Sequence, residues 1–221
     1  VLDLPRGGEG VLPNQYLTMA IDDGVIRADG GIPLQNLQPA SLDLRLGSIA
    51  YELRCSFLPT HQTVRERIAG NLVTGELDLS GGGSVLARGR PYLVPLKEHL
   101  ALPPDVRARA NPKSSTGRAD VFTRVITDNS VRFDDIRAGY KGGLYLEIVP
   151  LSFPVRVRED LSLNQLRLSV GRAGLDDEAI LAYHQKQPLL FTPRAEVKSE
   201  NLILSGGLFL GLDLHDRDGR V

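Results

Sequence analysis

Hydrophobic residues recur at every second position through much of this chain. Leu42, Leu44 and Leu46 alternate with Asp43 and Arg45 before Gly47, and Ile49, Tyr51, Leu53 and Cys55 repeat the period, which predicts two strands joined near Gly47. Asp43 and Arg45 project from one face, as an ion pair, a solvated edge or a support for a site. After PYLVPL, a further strand, Phe153, Val155 and Val157 face away from Arg156 and Arg158, and Leu161, Leu163 and Leu166 are broken by Asn164 and Gln165. Short half-solvated strands between Gly and Pro turns predict a mostly β chain, a jelly-roll or related barrel with a few short helices.

The helical spacing is confined to three stretches. Tyr16, Leu17, Ala20 and Ile21 mark a short helix with Asn14 as its N-cap and Gly24 as its stop. THQTVRERIAG allows a second, and LDDEAILAYHQKQ at 175–187 a third capped by Asp176, or else a long insertion between strands. Residues 1–12, with three glycines and a proline, read as a flexible arm or extended edge segment; 13–195 read as one β domain. Residues 196–221 read as a linker and the start of a second β domain that stops short, or as an arm that pairs with another subunit. GGGS at 81–84 lacks the Lys-Ser/Thr ending of a phosphate loop and reads as a hairpin turn.

Composition narrows the chemistry. The chain has 221 residues, is 42% hydrophobic and 24% charged, and carries a formal net charge of -1, so nothing draws it globally to a nucleic-acid polymer or an anionic membrane. A small polyanion held by a local basic pocket fits better. The single cysteine, Cys55, reads as a small core residue. His61, His99, His184 and His215 are scattered, and neither a Cys/His zinc cluster nor a zinc-deaminase signature is present. Hydrolytic chemistry would have to activate water without zinc. No N-terminal leader pattern or membrane-length apolar run is visible, so a cytoplasmic protein is expected.

Polar chemistry concentrates between Asn111 and Pro150. KSSTGR combines two cations, Lys113 and Arg118, with Ser114 and Ser115, which can donate to phosphate oxygens; an ordinary solvated turn is the alternative. AGYKGGLYLEI places Gly139, Gly142 and Gly143 before a hydrophobic strand with one acid, Glu147. The glycines make a tight hairpin or leave room for a flat base, with Tyr140 as a lid or wall. Glu147 is the best candidate for proton transfer, since partial desolvation in a strand suits a carboxylate that must exchange a proton; an outward-facing or ion-paired acid is the alternative. Asp134 and Asp135 lie in the preceding turn, where they can cap backbone amides.

LQPASLDLRLG at 37–47, NPKSSTGRADVFTRVITD at 111–128 and GYKGGLYLEI at 139–148 together resemble the longer bacterial form of 2'-deoxycytidine 5'-triphosphate deaminase, in the dUTPase-like superfamily. The resemblance runs from about Val11 to about Gly171. It implies a dUTPase-like distorted jelly-roll barrel, threefold assembly as a homotrimer or pseudo-threefold unit, and sites between neighbouring units. It also implies hydrolytic deamination of dCTP to dUTP and ammonia, with Lys113, Ser114, Ser115 and Arg118 on the phosphates and Glu147 as catalytic acid and base. Thr127 would orient the water through its carbonyl, and Asp134 approximates the acid before the glycine motif. Mg²⁺ would be held mainly by the substrate triphosphate, with no zinc. The rivals are dUTP hydrolysis to dUMP and pyrophosphate, and a noncatalytic nucleotide-binding or oligomerisation domain.

Overall fold

The computed structural model describes residues 9–171 and 174–211. The chain divides into two compact units, Val1–Gly171 and Arg172–Val221. In the first unit the elements run β1 (Gly10–Val11), α1 (Asn14–Asp22), β2 (Ile26–Ala28), β3 (Leu37–Gln38), β4 (Ser41–Arg45), β5 (Ile49–Leu53), α2 (Val64–Ile68), β6 (Val73–Asp78), β7 (Ser84–Leu86), β8 (Tyr92–Ala101), β9 (Val106–Pro112), α3 (Ser114–Arg118), β10 (Val121–Ile126), β11 (Asp135–Ile136), β12 (Lys141–Pro150), β13 (Val155–Val157) and β14 (Ser162–Val170).

These strands form two facing antiparallel sheets. The first has the order β11-β9-β14-β4-β3, with β1 added on β14; the second runs β10-β12-β8-β5-β6, with β2 added on β8. A separate ribbon pairs β7 with β13. Leu42 and Leu44 on β4, Ala108 and Ala110 on β9 and Leu166 and Leu168 on β14 meet Val94 on β8, Val125 on β10 and Leu144, Leu146 and Ile148 on β12 in one core. A smaller cluster, Leu53, Phe57, Val64, Leu93, Ile126 and Tyr145, lies on the other face of the second sheet. There α2 covers strands that would otherwise face water. A capping box fixes its start: the Thr63 hydroxyl accepts from Glu66 N, and the Glu66 carboxylate accepts from Thr63 N at 2.7 Å.

Several local expectations change once the strands are paired. Pro13, not Asn14, caps α1, and no side chain bonds the helix start. Leu17 and Ala20 are its buried face. Cys55 is exposed, because β5 ends at Leu53 and the two-residue period does not carry past it. The GGGS turn joins β6 to β7, which belong to different sheets, so it is not a hairpin between paired strands. Gly83 has φ +68°, and a Cβ there would fall 2.1 Å from the Val157 carbonyl oxygen.

Asp43 and Arg45 neither pair with each other nor face water. All five residues of β4 are buried. Arg45 Nε donates to Glu98 Oε1 at 2.7 Å and its backbone N–H to Oε2 at 2.8 Å, tying the two sheets together through a fully buried carboxylate with both oxygens matched. On β14 a register shift between Ser162 and Asn164 changes the phase of the alternation. Asn164, Leu166 and Leu168 are therefore fully buried, and Leu163 is half-buried.

The second unit contains α4 (Asp177–Lys186), with the Asp176 carboxylate accepting from Ala179 N at 2.8 Å. His184 is buried under the segment that follows: its Nδ1 accepts from Leu189 N at 3.0 Å and its Nε2 contacts the Val197 carbonyl at 2.6 Å. Isolated bridges link Phe191 with Glu196 and Leu204 with Leu208. The expected strands at the end of the chain fall partly on 212–221, and the expected arm partly on 1–8; both stretches lie outside the described residues. Among the described residues, no helix is long and apolar enough to cross a membrane.

Candidate active site

Glu147 sits on β12 between two partners, opposite Arg124 on β10 and opposite Leu93 on β8. Its neighbours Leu146 and Ile148 enter the main core, so the pleat turns its side chain to the outer face of the second sheet. It is nevertheless fully buried. Arg124 Nε donates to Glu147 Oε1 at 2.8 Å, whereas Oε2 is buried without a hydrogen-bond partner. A carboxylate half satisfied in this way is unusual in a folded interior. The Arg124 guanidinium lies 3.6 Å from the Phe133 ring centroid and 5.1 Å from that of Phe122, and its Nη2 donates to the Ser56 hydroxyl. About a quarter of the Arg124 side chain is exposed (24%), which gives the pair an open side.

Thr127 and Asp134 lie at the two ends of the turn after β10. Thr127 is buried, and its carbonyl accepts from Ser130 N at 3.3 Å. With Ser130, Arg132, Asp135 and Arg137 it borders a cavity of about 320 Å³, into whose wall the buried Ser130 hydroxyl brings a second polar group without a partner. Asp134 adopts φ +61°. Its Oδ1 accepts from Val125 N at 2.7 Å, its own N–H donates to the Val125 carbonyl at 2.9 Å, and its carbonyl accepts from Ala110 N at 2.9 Å. Asp134 thus stitches β10 to β9, the capping role open to a turn aspartate. Burial raises its pKa above the ordinary carboxylate value, opposed by the Val125 N–H and by the charges of Arg124 and Arg109.

Tyr140, expected as a lid or wall, is packed inside the chain. It is 3% exposed, its hydroxyl donates to the Gly143 carbonyl at 2.7 Å, and it accepts from Asp128 N at 3.3 Å. A Cβ on Gly142 would stand 2.6 Å from that hydroxyl oxygen, so the space left by this glycine is taken by the chain's own phenol rather than by a base. Burial pushes the Tyr140 hydroxyl well above its usual pKa.

The cationic motif is a helical turn rather than an open loop. Lys113 caps α3, and its ammonium is paired with the Asp43 carboxylate. Thr116 turns inward and donates to the Leu163 carbonyl at 2.8 Å, which leaves Ser114, Ser115 and Arg118 exposed. Asp43 lies between Leu42 and Leu44, which face the core, so the Asp43–Lys113 pair belongs to the outer face of the first sheet. Within one chain the Asp43–Lys113 pair and Glu147 are therefore on outward faces of different sheets. Arg124 was not anticipated, because only the β10–β12 register sets it opposite Glu147.

A profile of the 2'-deoxycytidine 5'-triphosphate deaminase N-terminal domain matches residues 8–172. The chain belongs to this deaminase family. A crystal structure of 2'-deoxycytidine 5'-triphosphate deaminase from Agrobacterium tumefaciens is similar over 82% of this chain and 54% of that one, with 46% identity and a TM-score of 0.76, and the two share the jelly-roll architecture of the family. A dCTP deaminase of Halorubrum lacusprofundi is 31% identical over 60% of this chain and 63% of its own length. A dUMP-forming dCTP deaminase of Halobacterium salinarum is 28% identical over 71% of this chain and 78% of its own. The chain thus spans roughly half to three quarters of these relatives. Among the described residues, no group of three His, Cys, Asp or Glu side chains is placed to hold a metal ion.

Proposed function

We propose that the chain carries the catalytic domain of an enzyme that deaminates dCTP to dUTP and ammonia. One observation carries this reading: in a member of this family, Glu147 is a fully buried carboxylate with one oxygen held and the other unpartnered. Such a group can take a proton from a water molecule that attacks C4 of the cytosine, deliver it to the ring nitrogen, and assist the departure of ammonia as the C4–N bond breaks. The Thr127 carbonyl would help orient that water. Ser114, Ser115 and Arg118 face solvent and would bind the triphosphate, joined by Lys113 once phosphate competes with Asp43 for its ammonium. These donors are cationic or hydroxylic and suit phosphate oxygens rather than a bare cation, so Mg²⁺ would arrive on the nucleotide.

Because Lys113, held by Asp43, and Glu147 lie on outward faces of different sheets, a complete site would bring α3 of one copy beside Glu147 of another. This supports assembly into a homotrimer or pseudo-threefold unit. The dUMP-forming activity named for the Halobacterium relative keeps dUTP hydrolysis as a second reading, although its candidate acid here, Asp134, is already engaged by Val125. Incubating the full-length protein with dCTP, dUTP and CTP and measuring ammonia and pyrophosphate separately decides among the readings. Ammonia and dUTP from dCTP support deamination; pyrophosphate and dUMP support the second; binding without either product supports a noncatalytic domain.

A further inference from the structure

We propose that Arg124 is the positioning residue of this reaction, holding Glu147 through Oε1 so that Oε2 alone meets the attacking water. The inference rests on the deaminase reading above and assigns the proton-handling atom within it. Three observations converge. Arg124 and Glu147 are directly opposed across β10 and β12, and the bond between them uses Nε and one oxygen only, at 2.8 Å. The guanidinium is itself immobilised from separate segments, with Phe133 at 3.6 Å beneath its plane, Phe122 at 5.1 Å and the Ser56 hydroxyl on Nη2. Glu147 Oε2 is left buried without a partner.

A structural ion pair has no need of this asymmetry. Burying a carboxylate is costly unless both oxygens are matched, and Glu98, the other fully buried acid among the described residues, has both matched by Arg45. At Glu147 the second oxygen is withheld from the protein. The planar fork also explains why the residue is arginine: one edge reaches Glu147, another reaches Ser56, and the face rests on Phe133. Lysine offers a point charge without the stack, and would leave the carboxylate free to rotate. Phe133 lies in the turn between β10 and β11, so the placement of this turn is transmitted to the carboxylate through the guanidinium.

The test compares wild type, E147Q, R124A, R124K and F133A in the full-length protein, by kcat and KM for ammonia release from dCTP. Misplacing a reacting group by about an ångström costs on the order of a hundredfold, so R124A loses about that factor in kcat with KM nearly unchanged. Added methylguanidinium restores part of it, and R124K does not. F133A keeps the ion pair and the charge while removing the stack, and it lowers kcat by about tenfold. Wild-type kcat in F133A together with R124K, or a loss in R124A confined to KM, overturns the assignment while the deaminase reading stands. No ammonia from wild type, or full activity in E147Q, overturns both.

Discussion

The two outward faces of the barrel are built on opposite plans. On the second sheet, Glu147 is buried and held by Arg124, which stacks on Phe133 and donates to Ser56 in the segment before α2. On the first, α3 presents Ser114, Ser115 and Arg118 to solvent, and its one engaged cation, Lys113, is held by Asp43. The difference follows from what each must meet. A proton-transfer group gains from exclusion of water and a fixed geometry, whereas donors for a highly charged triphosphate must remain hydrated and accessible until the ligand replaces their solvent. One half is preorganised, and the other stands open to solvent.

The sharpest way to break this contrast is to neutralise the preorganised half. E147Q preserves shape and removes the proton-transfer group, so ammonia release falls by about 10²–10⁴-fold while nucleotide binding measured by calorimetry persists. Near-normal turnover would remove Glu147 from the chemistry. On the open half, R118A removes a charge-assisted bond worth about 1.5–3 kcal/mol. KM for dCTP then rises about tenfold to a hundredfold with little change in thermal stability, and an unchanged KM would take Arg118 out of the phosphate site.

Asp134 belongs to neither plan, since its carboxylate is engaged by the Val125 N–H of β10. Its folded pKa is raised by burial, so the folded chain binds that proton more tightly than the unfolded chain does. The resulting stability is full below the unfolded carboxylate value and is lost as pH rises through the raised folded value. D134N stays neutral, can still accept from Val125 N–H and tolerates φ +61°. It should melt at or above the wild-type temperature at pH 7, with a weaker dependence on acid pH and activity retained; loss of turnover with the fold intact would make Asp134 catalytic. D134A forfeits both features and costs about 1–3 kcal/mol in denaturant titrations. A smaller loss than that of D134A is expected at Tyr140, where Y140F leaves the Gly143 carbonyl unmatched at a cost of about 1–2 kcal/mol. A larger effect on KM than on stability would return Tyr140 to the ligand.

Much of this is legible in the residues themselves, since local patterns carry local physics. The alternation of Leu42, Leu44 and Leu46 names the core face of β4, and Asp176 announces the cap of α4. The same period misleads at Cys55 because nothing local signals that β5 ends at Leu53. It is silent on Asp43 and Arg45, whose partners Lys113 and Glu98 lie far along the chain. Gly142 shows the same limit: its missing side chain is evident, but that Tyr140 fills the space is a matter of packing.

By itself the sequence determined the strand-rich class and the candidates Glu147 and Ser114 to Arg118, because side-chain chemistry and two-residue periodicity are properties of short segments; the family came from the resemblance of its motifs. Tertiary structure alone decided that Arg124 stands opposite Glu147, that one carboxylate oxygen is held and the other withheld, and that Lys113 pairs with Asp43 on the outer face of the other sheet. Register and burial are relations between distant segments. No local pattern specifies them until the strands are paired.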